Sequence, residues 1–186
     1  MKKIMFNDKY GLTQAVLEGR KTQTRRTFLK PGEETLLDGI TPEYLISVRS
    51  RYKVGETIAI AQSYKDIHAE ILREVGPWDL KKEFRQSKGY TNKMFVRAEK
   101  MPHAIRITNI RVERLQDISD EDCMKEGIWR DENVGLEGTT YWYHGLSNSS
   151  FRTPQEAYAS LIDSVSGKGT WASNPYVFVY DFELIN

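Results

Sequence analysis

Eight residues near the N-terminus, Gly19-Arg20-Lys21-Thr22-Gln23-Thr24-Arg25-Arg26, constrain this chain more than any other stretch. They hold four cations and two hydroxyls, and no acid follows before Glu33. Lys30 adds a fifth cation in that interval. Like charges so close together repel one another and cost stability unless an anion or a special task compensates. The whole chain carries a formal net charge of only +1, so the excess is local. The simplest reading is a solvated edge strand whose charges guard it against unwanted pairing. Two features argue for chemistry instead. Thr22 and Thr24 are strand formers that set a hydroxyl beside the cations. Lys21 stands among Arg20, Arg25 and Arg26, and neighbouring like charge disfavours its ammonium form, which makes it a candidate base. A neutral lysine activating a hydroxyl is an established nucleophile arrangement. In a regular strand Lys21 and Thr24 would face opposite ways, so their pairing requires a bulge, a turn or a substrate held between them.

Composition narrows the setting. A length of 186 residues fits a single domain, 1–186, and 39% apolar with 11% aromatic residues is ordinary globular material. No apolar run has the length needed to span a membrane, and the N-terminus lacks a signal-peptide core. Cys123 is the one cysteine, which leaves no disulfide framework and favours a reducing, cytoplasmic setting. The near-zero charge balance excludes a polycation built for duplex DNA, so any anion site must be a local patch. His68, His103 and His144 lie far apart and give no metal-ligand spacing with one cysteine, so neither a metal nor another cofactor is expected.

Periodicity supplies a set of short elements. Residues 8–18 read as a helix capped by Asp8 and stopped by Gly19, and residues 20–26 as extended chain. A turn at Lys53-Val54-Gly55-Glu56 precedes a strand from Thr57 to Ala61. Residues 64–90 are charged, weakly periodic and broken at Gly76-Pro77. Met94 to Arg97 and Ile105 to Leu115 read as strands, and the apolar phase slips between Ile107 and Ile110, the sign of a bulge or of burial on both faces. Ser119-Asp120-Glu121-Asp122 has capping-box spacing for a helix that Gly127 ends. Residues 129–152 read as irregular. Thr153-Pro154-Gln155-Glu156 opens the strongest helix, with Tyr158, Leu161, Ile162 and Val165 on one face. Gly167-Lys168-Gly169-Thr170 lacks the full spacing of a phosphate loop and follows a helix, so it reads as a turn. Strict alternation from Tyr176 to Leu184 closes the chain with a strand. Short strands separated by turns and small helices suggest a curled sheet or barrel of the α+β class.

The charged segment, read with Val16-Leu17-Glu18 before it, resembles the signature of the ASCH family (activating-signal-cointegrator homology). That pattern, Gly-x-Lys-x-x-Glu/Thr-x-Arg, falls here on Gly19, Lys21, Thr24 and Arg26. Later features keep the family's order: the Gly55 turn before a strand, the strand from Ile105 to Arg114, the segment from Leu115 to Gly127, and an aromatic C-terminal strand. The resemblance implies a small PUA-like β-barrel with peripheral helices, interrupted here by insertions at about 62–92 and 129–152. It also implies a nucleoside or RNA as partner, and no membrane. Some small bacterial members hydrolyse acetylcytidine, and by position their lysine base, threonine nucleophile and assisting glutamate fall on Lys21, Thr24 and Glu126. Arg25 stands where those members often carry an apolar residue. Glu126 has an argument of its own: a carboxylate in a helix's last turn faces the negative end of the dipole, a setting that suits acid/base work.

Arg20, Thr22, Arg25, Arg26 and Trp142 complete the candidate ligand contacts. Trp129, Tyr141, Trp142, Tyr143 and Phe151 either stack on bases or pack the second insertion onto the barrel. Arg106, Arg111 and Arg114 either follow a phosphate backbone or pair with acids such as Glu113. Three functions follow: an amidohydrolase acting on acylated cytidine, a non-catalytic RNA-binding module, or a regulatory or phage-related interaction domain. The last would show an exposed apolar patch between 141 and 151.

Overall fold

Two long antiparallel strands, β4 (Ala104–Arg114) and β7 (Tyr176–Ile185), form the centre of the fold in a computed structural model that describes residues 1–29, 39–68, 85–132, 138–146 and 150–185. β2 (Gln23–Thr27) pairs with the outer side of β7, and β3 (Thr57–Ile60) with the outer side of β4. β1 (Lys2–Ile4) then adds parallel to β3, which gives a five-stranded sheet of order β1-β3-β4-β7-β2. With helices packed around it, the class is α+β. No strand pairing joins β1 to β2 among the described residues. The two edges nevertheless curl toward each other, and the Arg26 guanidinium donates to the Met5 carbonyl at 2.8 Å.

The phase slip in β4 has a definite cause. Ile107 faces Phe182 and Asn109 faces Asp181, so Thr108 is an extra residue and the strand is bulged there. The bulge keeps Ile105, Ile107 and Ile110 on the same side of the sheet as Phe178, Tyr180 and Phe182. Without it the apolar set beyond Thr108 would turn to the other face. This inner face also takes Ile58 and Ile60 of β3 and Ile4 of β1, all buried. Full burial of each such side chain is worth about 1.5–3 kcal/mol. The opposite face carries Asn109, Arg111 and Glu113 alongside Val179 and Asp181, and it receives two helices.

Those helices are α3 (Asp120–Lys125) and α4 (Pro154–Ser166), numbered after α1 (Leu12–Leu17) and α2 (Pro42–Arg49). A four-residue α5 (Thr170–Ser173) precedes β7. α4 forms as its sequence predicts. Thr153 Oγ1 accepts from the Glu156 amide and Glu156 accepts from the Thr153 amide, both at 3.2 Å, a complete capping box. At α3 only half of the box forms. Ser119 accepts from the Asp122 amide at 3.1 Å, but the Asp122 carboxylate is held by arginines across the sheet.

Three local expectations are corrected. The helix read over 8–18 is broken at Gly11 (φ 62°) into a 3-10 turn, Asp8–Tyr10, and α1. Asn7 rather than Asp8 caps the turn, and Asp8 instead accepts from the Thr13 hydroxyl at 2.5 Å. Met94 to Arg97 is not a strand. The Asn92 side chain caps a 3-10 turn, Lys93–Phe95, and Lys3 Nζ donates to the carbonyls of Met94 and Val96, so the backbone finds its partners outside a sheet ladder. Within 129–152, β5 (Trp129–Asp131) and β6 (Thr140–Trp142) form a hairpin, and Trp129 stacks on Trp142 at 4.8 Å. Lys30, Gly76-Pro77 and most of the first insertion lie outside the described residues. No helix among the described residues is long and apolar enough to cross a membrane.

Cys123 of α3 is fully buried, and burial pushes its thiol pKa up to about 12. Titration with a disulfide reagent such as DTNB is expected to label it slowly in the native protein and rapidly in denaturant. Fast native labelling would contradict this packing.

Candidate functional site

Lys21 reaches its place because α1 ends abruptly. Gly19 adopts φ 72°, and the amides of Arg20 and Lys21 both donate to the Ala15 carbonyl at 2.9 Å. Such a left-handed stop is open to glycine at little cost. The chain then turns, and β2 begins only at Gln23. Lys21 is therefore not a strand residue, and the strict alternation that would set it against Thr24 does not apply to it. Both side chains line one cavity of about 710 Å³, together with Arg25, Arg26 and Glu126. Phe6, Lys93 and Tyr158 are among its other wall residues, and the second half of α4 supplies Leu161, Ile162 and Val165.

Lys21 and Glu126 are 2% and 4% exposed, and their charged ends are 2.5 Å apart. Lys21 Nζ also donates to the Glu126 carbonyl at 2.9 Å. Glu126 is the residue at which α3 ends, followed by Gly127 at φ 103°. A Cβ on Gly127 would make only ordinary contact with Leu12, but at φ 103° a side chain is strained, so this turn holds Glu126 over Lys21 with least strain when glycine follows it. The Lys21 pKa lies below its ordinary value. Burial is the main cause, Glu126 opposes it, and Arg26 and Arg25 add to it weakly. The crowding of arginines in the sequence gives the right direction but names the lesser cause, and Arg20 takes no part.

Arg25, in the middle of β2, has a fully buried side chain. It donates to Glu113 at 2.5 and 3.0 Å, to Asp122 at 3.0 Å, to Glu126 at 3.2 Å, and to Gln23. Arg111 joins the same cluster through Asp122, Glu113 and Asp181. Burial works against the Arg25 charge, but Glu126 and Glu113 outweigh it and hold the guanidinium pKa above its usual range. Burial also works against the Asp122 charge, and there the hydrogen bond from Arg25 and the field of Arg111 prevail, lowering its pKa.

The other candidates sit elsewhere. Arg20 pairs with Glu18 at 2.5 Å and lies 3.9 Å above the Trp129 ring, which in turn stacks on Trp142. This stack does not line the cavity. Thr22 is tied by its amide to the Lys125 carbonyl and by its carbonyl to the Phe182 amide. Tyr141, Tyr143 and Phe151 pack into or against the main core, so they make no exposed apolar patch. Arg106 pairs with Glu183, and Arg114 lies over Tyr176. No cluster of metal-ligating side chains occurs among the described residues.

Tyr158 is the wall residue that sequence pattern assigns to the core. Its position on the apolar face of α4 reads as packing, and it is indeed buried, but its hydroxyl has no hydrogen-bond partner among the described residues. Burial raises its pKa well above the usual value. The hydroxyl of Thr24, a residue 4% exposed, donates no hydrogen bond among the described residues and is not bonded to Lys21. The site thus offers a buried amine–carboxylate pair, a hydroxyl without a fixed partner, and an arginine that orients the carboxylate. No family model, curated protein or solved structure matches the chain.

Two outcomes are expected. Arg25→Ala leaves three carboxylates without their shared partner and should lower stability by about 3–5 kcal/mol, read as a fall in the urea midpoint. Because folding lowers the Asp122 pKa, its contribution is complete above the unfolded value of 3.8 and is lost as pH falls through the lower folded value. Asp122→Asn should therefore reduce stability at neutral pH and make its decline in acid shallower.

Proposed function

We propose that this cavity takes a nucleobase or nucleoside and that the protein is an ASCH-type amidohydrolase acting on the acylated exocyclic amine of a cytidine. The observation that carries this reading is the convergence of Lys21, Thr24 and Glu126 on one cavity of about 710 Å³. That volume lies within the ~300–1,000 Å³ common for small-molecule sites. On this reading the curled sheet is an open form of a PUA-like barrel, and the seam between its edge strands is where the ligand enters.

Lys21 passes a proton to Glu126 across their 2.5 Å contact and becomes a neutral amine. Burial of the Lys21 amine favours its neutral form. Lys21 then takes the Thr24 hydroxyl proton as Oγ1 attacks the acyl carbon. The C–N bond breaks, and the leaving amine receives a proton from the Lys21–Glu126 pair. The acyl group remains on Thr24 as an ester. A water that gives its proton to the same pair hydrolyses the ester, and the proton returns to Thr24. Arg25 is a positioning residue: it holds the second Glu126 oxygen at 3.2 Å.

The test is release of cytidine from acetylcytidine. Lys21→Ala and Thr24→Ala should each reduce turnover by roughly 10²-fold or more while circular dichroism shows a folded chain. Undiminished turnover in folded Lys21→Ala overturns the mechanism, and no turnover in the wild type overturns the activity.

A further inference from the structure

A second cleft, of about 410 Å³, adjoins the main cavity in the seam between β1 and β2. The two share Met5, Arg26 and Thr27 in their walls. Three guanidinia, those of Arg26, Arg49 and Arg51, line this cleft, and no carboxylate among the described residues does; Lys3 is also in its wall, but its ammonium is spent on the Met94 and Val96 carbonyls. Arg20, Arg25, Arg106, Arg111 and Arg130 each meet an acid elsewhere in the fold. Among the described residues Arg26, Arg49 and Arg51 meet none; Arg114 and Arg152 also meet none, but neither lines this cleft. Three guanidinia without an acid partner therefore share one concavity.

The geometry favours an anion rather than a merely wet surface. Arg26 has one hydrogen bond among the described residues, to the Met5 carbonyl, which leaves its other donors uncommitted. The Arg51 guanidinium lies 5.5 Å from the centre of the Tyr52 ring. Arg51 and Arg26 both act on the largely buried Tyr52 hydroxyl, which burial chiefly governs and Glu56 influences in the opposite sense, so the two guanidinia lie near one another. The floor is aromatic, with Phe28 stacked on Phe178 at 4.1 Å and Tyr52 set edge-on to Tyr180 at 5.1 Å. Such a floor keeps water off one side of the cations and strengthens their field. Planar guanidinium forks match phosphate oxygens.

We propose that this cleft is a phosphate site, and that the natural ligand is a phosphate ester whose base enters the main cavity. The base assignment rests on the function proposed above, whereas the phosphate site stands on the cleft alone. The ligand is then a nucleotide, either free or within an RNA strand, rather than a bare nucleoside.

Calorimetric titrations of the whole chain with inorganic phosphate, cytidine, cytidine monophosphate and a short oligocytidylate test this. The wild type is compared with an Arg49→Gln/Arg51→Gln double variant, both positions being exposed. Cytidine monophosphate should bind about ten-fold tighter than cytidine at low salt, through charge-assisted contacts. The gain should shrink as salt rises and vanish in the double variant. Further tightening with the oligonucleotide would identify RNA as the source of the phosphate, and its absence a free nucleotide. Equal affinity for nucleoside and nucleotide, a gain that survives in the double variant, or no binding of any phosphate-bearing probe overturns the proposal. Phosphate binding that is lost in the double variant, with no binding of cytidine, upholds the cleft and removes the base assignment.

Discussion

The buried guanidinium of Arg25 holds together the parts of this protein that sequence keeps apart. It sits on an edge strand, yet its side chain is fully buried, because Glu113 of β4, Asp122 of α3 and Glu126 at the end of α3 close around it. An unpaired guanidinium there would be very costly. Arg111 also meets Glu113 and Asp122, and Lys21 meets Glu126, so the cluster is shared among several cations, and it fixes α3 against β2 and β4. The repulsion built into Gly19–Arg26 is relieved largely inside the fold: Arg25 and Lys21 face acids supplied by residues 113–126.

The same arrangement creates the site. Glu126 accepts from Arg25 with one oxygen and from Lys21 with the other, so the residue that completes the structural cluster also orients the amine within the cavity that Thr24 lines. The incomplete curl of the sheet does the rest. β1 and β2 approach without pairing, joined through the Arg26 contact to Met5, and both cavities open along that seam. A ring closed by strand pairing would leave no such opening between the edges. The acid-rich cluster lies on one side of β2 and the unneutralised arginines on the other, a separation that follows from the alternation of Arg25 and Arg26 along one strand.

Much of this was legible because it is local. The capping box at Thr153, the stop at Gly19, the turn at Gly55 and the alternation of β7 depend on residues within a few positions of one another. The bulge at Thr108 was legible too, since an apolar phase slip in a strand has few physical solutions. Failures arose where a side chain had a distant competitor. Met94 to Arg97 has strand-like composition, but Lys3 and Asn92 take its backbone groups. Asp122 has capping-box spacing, but two arginines hold its carboxylate.

By itself the sequence determined the capped helix α4, the strands β3, β4 and β7 and the concentration of cations in one short segment, because periodicity, capping and charge count are properties of neighbours. Only the tertiary structure decided that Lys21 leaves the strand to meet Glu126, that Arg25 is buried while Arg20 stacks on Trp129, and that Arg49 and Arg51 stand beside Arg26. Those outcomes depend on burial and on partners tens of residues away. The energy of a buried charge is set by what surrounds it in space, which a linear pattern does not record.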